Sequence, residues 1–235
     1  ASVKNISDGT SLSITGGSKN GVFEAPQLTI GFSDGGYEKM SEQLYDFQYD
    51  YLIPHKNNDA LSVIYNTWYP YELNVNEQNC LSLIDRAKEI GAELFVIDDG
   101  WFADRNIFSV GLGDWYVNKE KFPNGLKPIA DKAHSLGMKF GLWIEPEMVN
   151  ESSNLYKKHP EWVLTYPNRK KTVMRHQCVL NLSREDVKEF IWETIKRIVS
   201  EYELDYIKWD MNTYITDTMG DTKENYIEYR KEELE

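Results

Sequence analysis

From Leu61 onward the chain alternates short apolar runs with amphipathic helical stretches, and this alternation restricts the fold more than any other feature. "SVIYNTW" reads as a strand. "NEQNCLSLIDRAKEIG" reads as a helix, with Asn76 as N-cap, an apolar stripe at Cys80, Leu83, Ile84, Ala87 and Ile90, and Gly91 as its stop. "ELFVIDDGW" is the next strand. A long loop through "GDWYVN" and "FPNG" leads to the helix "LKPIADKAHSLG" and the strand "KFGLWIEPE". A short helix near "SSNLYKKHP" and the run "CVLNL" follow. Ser183 is placed to cap the helix "REDVKEFIWETIKRIVSEYEL", whose stripe is Val187, Ile191, Ile195 and Ile198. "DYIKWDM" is the last main strand, expected to be buried, and "DTKENYIEYRKEELE" reads as a charged helix. Such alternation demands a parallel sheet with helices outside it. A closed (β/α)8 barrel needs eight units and ~250 residues, so the four main units predict an α/β chain of TIM-barrel type carrying the first half of the barrel. An open four-stranded α/β sheet is the alternative. No glycine-rich phosphate loop follows a strand, which weighs against nucleotide binding.

Upstream, residues 1–35 are rich in Ser, Gly and Thr, with alternating pieces "SLSITGG" and "APQLTIGFS" that read as the end of a β-domain. Residues 36–60 contain "EKMSEQLYDFQYDYLIP", a helical connector that stops before Pro54. Residues 61–235 then form the barrel portion. The formal charge of −12 opposes nucleic acid and anionic membrane surfaces as partners, since both require basic patches. No apolar run approaches the ~20 residues of a membrane span; the chain starts at Ala1 without Met, so the lack of a visible leader decides nothing, and a cytoplasmic location is the expectation. Cys80 and Cys178 lack metal-ligand spacing, and His55, His134, His159 and His176 are scattered, so neither a zinc site nor another cofactor is expected.

The strand ends carry the chemistry. The first strand ends in Trp68, the second in Asp98-Asp99-Gly100-Trp101, the third in Trp143, Glu145 and Glu147. In the fourth, period-two alternation puts Lys208, Asp210 and Asn212 on one face. The C-terminal strand ends form the active face of parallel α/β folds. A charge buried on such a strand costs several kcal/mol unless paired. Carboxylates and Trp faces without His or Cys clusters suit sugars, and glycoside hydrolysis uses two carboxyl groups. Lys208 beside Asp210 favours the ionised carboxylate that a nucleophile requires. An ion pair bracing the sheet is the structural alternative for these two. A divalent metal on Asp99, Glu145 and Asp210 is the rival chemistry.

The motifs "LFVIDDGWF", "LGDW", "FPNGLKPIADKAHSLGMKFGLWIEPEMV", "HPEWVL" and "DYIKWDMN" resemble, in order and spacing, the catalytic barrel of glycoside hydrolase family 36, the microbial α-galactosidases. "GYEKMSEQLYDFQYDYLIP" resembles the connector that follows that family's N-terminal β-supersandwich, of which residues 1–35 would be a remnant. The resemblance implies a retaining exo-glycosidase acting on terminal α-linked galactose, homo-oligomeric at full length, with Asp210 as nucleophile and an acid/base residue on a strand beyond Glu235. It implies substrate contacts from Lys208, Asn212, Trp68, Trp143, Arg175, Asp98 and Asp99, the last two on the 4- and 6-hydroxyls. It makes Glu145 and Glu147 supporting residues. An α-N-acetylgalactosaminidase of the same family and a non-catalytic galactose-binding remnant are the alternatives. Three departures stand out. Trp68-Tyr69-Pro70 replaces the family's Trp-Glu-Ala, His176 stands where "RNQ" has Asn, and Thr213 stands where Arg follows the motif's Asn.

Overall fold

A computed structural model of the chain describes residues 13–15, 22–24, 28–53, 62–166 and 169–217. The chain divides at residues 60 and 61 into two units. In the first, β1 (Ser13–Thr15) pairs antiparallel with β2 (Val22–Glu24). Of the expected strand "APQLTIGFS", residues 25–27 lie outside the described residues, and of residues 28–33 only Leu28 stands in a bridge. Helix α1 (Gly36–Phe47) continues as a π turn over Gln48–Leu52. Ile53 is extended, as the residue before a proline must be.

The second unit follows the strand–helix reading. In chain order come β3 (Ile64–Asn66), α2 (Trp68–Tyr71), α3 (Glu77–Glu89), β4 (Leu94–Ile97), α4 (Lys127–Ser135), β5 (Lys139–Ile144) and β6 (Met148–Val149). Then come α5 (Asn154–Lys158), β7 (Cys178–Val179), α6 (Glu185–Tyr202) and β8 (Tyr206–Trp209). The main sheet runs β3-β4-β5-β8, every pair parallel. A doubly wound sheet reverses its strand order at a switch point. Here the order only advances, and α4 lies against both α3 and α6. These are consecutive units of a (β/α)8-type barrel, and the open-sheet alternative falls.

Asn76 caps α3 as expected, its Oδ1 accepting the Asn79 N–H at 2.9 Å. Cys80, Ile84 and Ala87 are buried against Phe95, Ile97 and Phe140 of the sheet. Ile90 is 72% exposed, because the stripe's last position falls beyond the final helical turn. Ser183 is not the cap of α6. Arg184 holds that position without a side-chain bond, while Ser183 Oγ donates to Asn181 Oδ1 at 2.6 Å. The acids Glu185 and Asp186 in the first turn suit the positive helix end instead.

The expectation of a buried β8 is also corrected. Among the described residues it has one neighbour, β5, and Tyr206 and Trp209, on opposite faces of the strand, are 38% and 49% exposed. Composition alone does not separate an edge strand from a central one.

Two segments position the site. The loop after β4 is fastened by Lys121, whose Nζ donates to the carbonyls of Leu73, Gly100 and Arg105 at 2.6, 2.9 and 2.8 Å. Gly100 has φ +109°, and a Cβ there would sit 3.0 Å from the Leu73 backbone, so the turn after the acids requires glycine. The second segment lies between β5 and α6. There β6 and β7 pair antiparallel, and Val149, Trp162, Val163 and Leu180 pack with Val187 and Ile191 of α6 in a satellite core.

That satellite carries a two-residue hairpin. Met174 and Gln177 exchange both backbone hydrogen bonds, at 3.2 and 2.8 Å, around Arg175 (φ +52°) and His176 (φ +64°). Two positive φ values mark the type I′ hairpin turn, where Asn and Gly are favoured. A non-glycine residue held left-handed costs about 1–3 kcal/mol. His176→Asn should therefore stabilise the protein by about 0.5 kcal/mol, since Asn tolerates this region better. Chemical denaturation checks it, and a loss of stability would mean the imidazole makes a contact that offsets its strain.

Candidate active site

The C-terminal ends of β3, β4, β5 and β8 face one cleft of about 240 Å³. All eight residues singled out as site candidates line it: Trp68, Asp98, Asp99 and Trp143 from the first three strand ends, Lys208, Asp210 and Asn212 from β8, and Arg175 from the hairpin. Arg105, Phe108 and Gln177 join them without having been foreseen, and Glu145 is there as well.

Asp210 sits where β8 ends, its N–H donating to Ile144 O at 2.9 Å. Its carboxylate accepts from Trp143 Nε1 and Asn212 Nδ2, both at 2.8 Å on Oδ2, and from the Met211 N–H at 3.0 Å on Oδ1. Burial pushes this carboxyl up. The three donors, with the charge of Lys208 behind them, outweigh burial and hold it below the ordinary carboxylate value. Trp143 is itself fixed from behind, its carbonyl accepting from Trp101 Nε1 at 2.9 Å.

Lys208 does not pair with Asp210. Its Nζ lies 2.7 Å from Asp98 Oδ2, an oxygen that also accepts from Asn66 Nδ2 at 2.7 Å. Lys208 thus ties β8 to the end of β4 across the cleft, and the hydrogen bonds, more than the cation, steady Asp210. Asp98 is further locked by its N–H on Thr67 Oγ1 at 2.9 Å.

Asp99 forms the most buried ion pair of the site. Arg105 Nε and Nη2 reach its two oxygens at 2.9 and 2.8 Å, and both side chains are almost fully buried. Burial drives the Asp99 carboxyl up, and the Arg105 fork and charge pull it back. The same guanidinium donates through Nη1 to the carbonyls of Phe108 and Val110 at 2.8 and 2.9 Å. Arg175 differs: among the described residues its guanidinium has no hydrogen-bond or ion-pair partner, so it stands in the cleft as an available cation.

Glu145, wholly buried, accepts the Asn212 N–H on one oxygen and Gln177 Nε2 on the other at 3.0 Å. Gln177 Oε1 accepts from Thr213 Oγ1 at 2.8 Å, so the hydroxyl at the departing position 213 closes this network. Glu147 lies apart from the cleft, accepting from Trp209 Nε1 at 2.8 Å. Burial first, then the charges of Asp210 and Asp99, push Glu145 up to about 7, against the Asn212 bonds. Between about 4.5 and 7 the native state holds a proton that the unfolded chain lacks, so stability falls as pH rises through that window. Glu145→Gln should remove this slope, worth at most about 3 kcal/mol between pH 4.5 and 7. Any misfit of the new amide against Gln177 would add a constant offset. A wild-type-minus-variant difference that stays flat from pH 4.5 to 8 would refute the argument.

The donor set speaks against the metal reading of Asp99, Glu145 and Asp210. Each carboxylate already faces N–H donors or a guanidinium, and among the described residues no three His, Cys, Asp or Glu side chains are grouped to hold a metal ion. Among those residues, too, no helix is long and apolar enough to cross a membrane.

The Melibiase family model matches residues 22–233. Alpha-galactosidase 2 of Pediococcus pentosaceus is 42% identical over 197 residues, which cover 84% of this chain and 27% of the relative. Alpha-galactosidase Mel36A of Lactobacillus acidophilus is 42% identical over 199 residues, with the same shares. A crystal structure of a variant of the GH36 alpha-galactosidase AgaA from Geobacillus stearothermophilus, in complex with stachyose, superimposes with a TM-score of 0.82 at 36% identity, covering 88% of this chain and 30% of that one. The chain thus spans about a quarter of the length of the curated relatives it matches. With the family model extending over nearly all of the barrel units and relatives more than 40% identical across most of the chain, the chain belongs to the Melibiase family, the α-galactosidases of glycoside hydrolase family 36.

Proposed function

We propose that residues 61–235 supply the galactose pocket and the nucleophile of a retaining α-galactosidase, with residues 1–35 ending a preceding β-domain and residues 36–60 connecting the two. One observation carries the reading: Asp210 is held ionised by Trp143, Asn212 and the Met211 N–H, facing the same cleft as Asp98, Asp99 and Lys208. In this reading an Asp210 oxygen attacks the anomeric carbon of a terminal α-galactoside. The bond to the leaving oxygen breaks, and an acid elsewhere in the protein protonates that oxygen. Water then opens the β-linked glycosyl ester, releasing α-galactose with net retention. Trp143 and Asn212 hold the attacking carboxylate in line. Asp98, fixed by Lys208 and Asn66, and Asp99, fixed by Arg105, present acceptors to the sugar hydroxyls. A pocket built to bond a hydroxyl rejects a sugar that lacks it, because a buried acceptor is then stranded. The stachyose-bound relative supports a substrate of this class.

The test uses a protein of the relatives' length that carries this chain. Melibiose hydrolysis followed by proton NMR should show α-galactose first, mutarotating later to the β form, with the rate unchanged in EDTA. First appearance of the β anomer, or loss of the rate in EDTA, would overturn the mechanism.

A further inference from the structure

We propose that Phe108, with Trp68, forms an aromatic platform that binds the leaving-group sugar, so that Phe108 is a specificity-determining residue for the aglycone; this rests on the galactosidase reading above. Three aromatic side chains line the cleft, and they divide by environment. Trp143 is buried and bonded to Asp210, which places it at the reacting end. Phe108 is 42% exposed, and its ring lies 6.2 Å from that of half-buried Trp68 at an angle of 54°. Among the described residues the Trp68 indole holds none of Asp210, Asp98 and Asp99 by a hydrogen bond, unlike that of Trp143.

An exposed Phe ring on a loop is ordinary. This one is held from behind. The Phe108 carbonyl accepts from Arg105 Nη1 at 2.8 Å and from Asn150 Nδ2 at 3.3 Å, and the next carbonyl, Ser109, accepts from Ser152 Oγ at 2.9 Å. The Arg105 guanidinium also lies 5.6 Å from the ring centroid. Arg105 thus fixes both Asp99, on the galactose side, and Phe108, on the outer side. A ring ordered before binding loses little freedom when a ligand stacks on it. The C–H face of a pyranose suits that surface, and every other lining group is polar or charged apart from the two tryptophans.

The experiment compares two substrates that share galactose and differ in the leaving group. α-Galactosyl fluoride has no aglycone ring, while melibiose has one. In the full-length protein, Phe108→Ala should lower kcat/KM for melibiose about three- to tenfold, mostly through KM, and leave the fluoride unchanged. Phe108→Tyr should restore melibiose to near the wild-type value. Equal losses on both substrates would mean that the ring only supports the Arg105–Asp99 pair, and an unchanged melibiose KM would mean that no aglycone touches it; either result overturns the platform. If wild-type protein turned over neither substrate, the galactosidase reading itself would fail, which separates the two outcomes.

Discussion

Asp210→Gly should lower turnover on an aryl α-galactoside by at least about 10³-fold, with the folded fraction unchanged. The substitution removes the attacking oxygen and leaves Trp143 Nε1, Asn212 Nδ2 and the Met211 N–H aimed into a small void. Three donors without an acceptor make an anion site. Added azide fits it in size and charge, and it approaches the anomeric carbon from the face the carboxylate used. A carbon–nitrogen bond then forms as the bond to the phenolate breaks, and the product is β-galactosyl azide. The aryl leaving group departs with little help from an acid, so the rescue isolates the nucleophile. Trp143→Phe, which removes only one of the donors, should cost far less, about tenfold. Near-wild-type turnover by Asp210→Gly, or rescue that yields the α-azide, would remove Asp210 from the nucleophile's role.

The strand ends were legible in the sequence because both barrel geometry and alternation are local in origin. Once "ELFVIDDGW", "KFGLWIEPE" and "DYIKWDM" are parallel neighbours, Asp98, Asp99, Trp143, Glu145 and Asp210 converge on one cleft, while Glu147 stays outside it. What the acids bond to was not legible. Lys208 lies two residues from Asp210, so sequence proximity paired them, yet its four-carbon stem reaches over to Asp98 on β4. Arg105 was missed for a related reason. It sits in a long loop with no periodicity to say which way it points, and its burial depends on Asp99, Phe108 and Val110 closing around it. An arginine six residues beyond a strand-end acid pair is a signal that could have been weighed. Gln177 became a site residue only through the I′ turn, and nothing in "RHQ" announces two left-handed residues. The burial of β8 was misjudged because edge and centre are properties of the sheet, not of the strand.

Arg105→Met should be the most damaging substitution outside the reacting atoms, lowering stability by about 3–5 kcal/mol. Burying a charge pair is costly, but removing one member is worse, since Asp99 stays behind in the interior without its cation. Two carbonyls, of Phe108 and Val110, lose their donor at the same time. The sign of the electrostatic effect is fixed. Burial already lifts the Asp99 carboxyl, and Arg105 is the main force pulling it down. Without the guanidinium the carboxyl rises further and keeps its proton to higher pH. Where the variant folds, the acidic limb of its kcat/KM profile should therefore move upward, because a protonated Asp99 offers the sugar hydroxyl one acceptor fewer. The double variant Asp99→Asn with Arg105→Met separates the causes. It removes the unpaired charge, so it should regain part of the stability that Arg105→Met lost while its activity stays low. Arg105→Lys keeps the charge and loses the fork, and should fall between wild type and Arg105→Met. If Arg105→Met cost less than about 1 kcal/mol and left the pH profile in place, Asp99 would have found solvent or another partner, and the buried pair would not be what holds this side of the pocket.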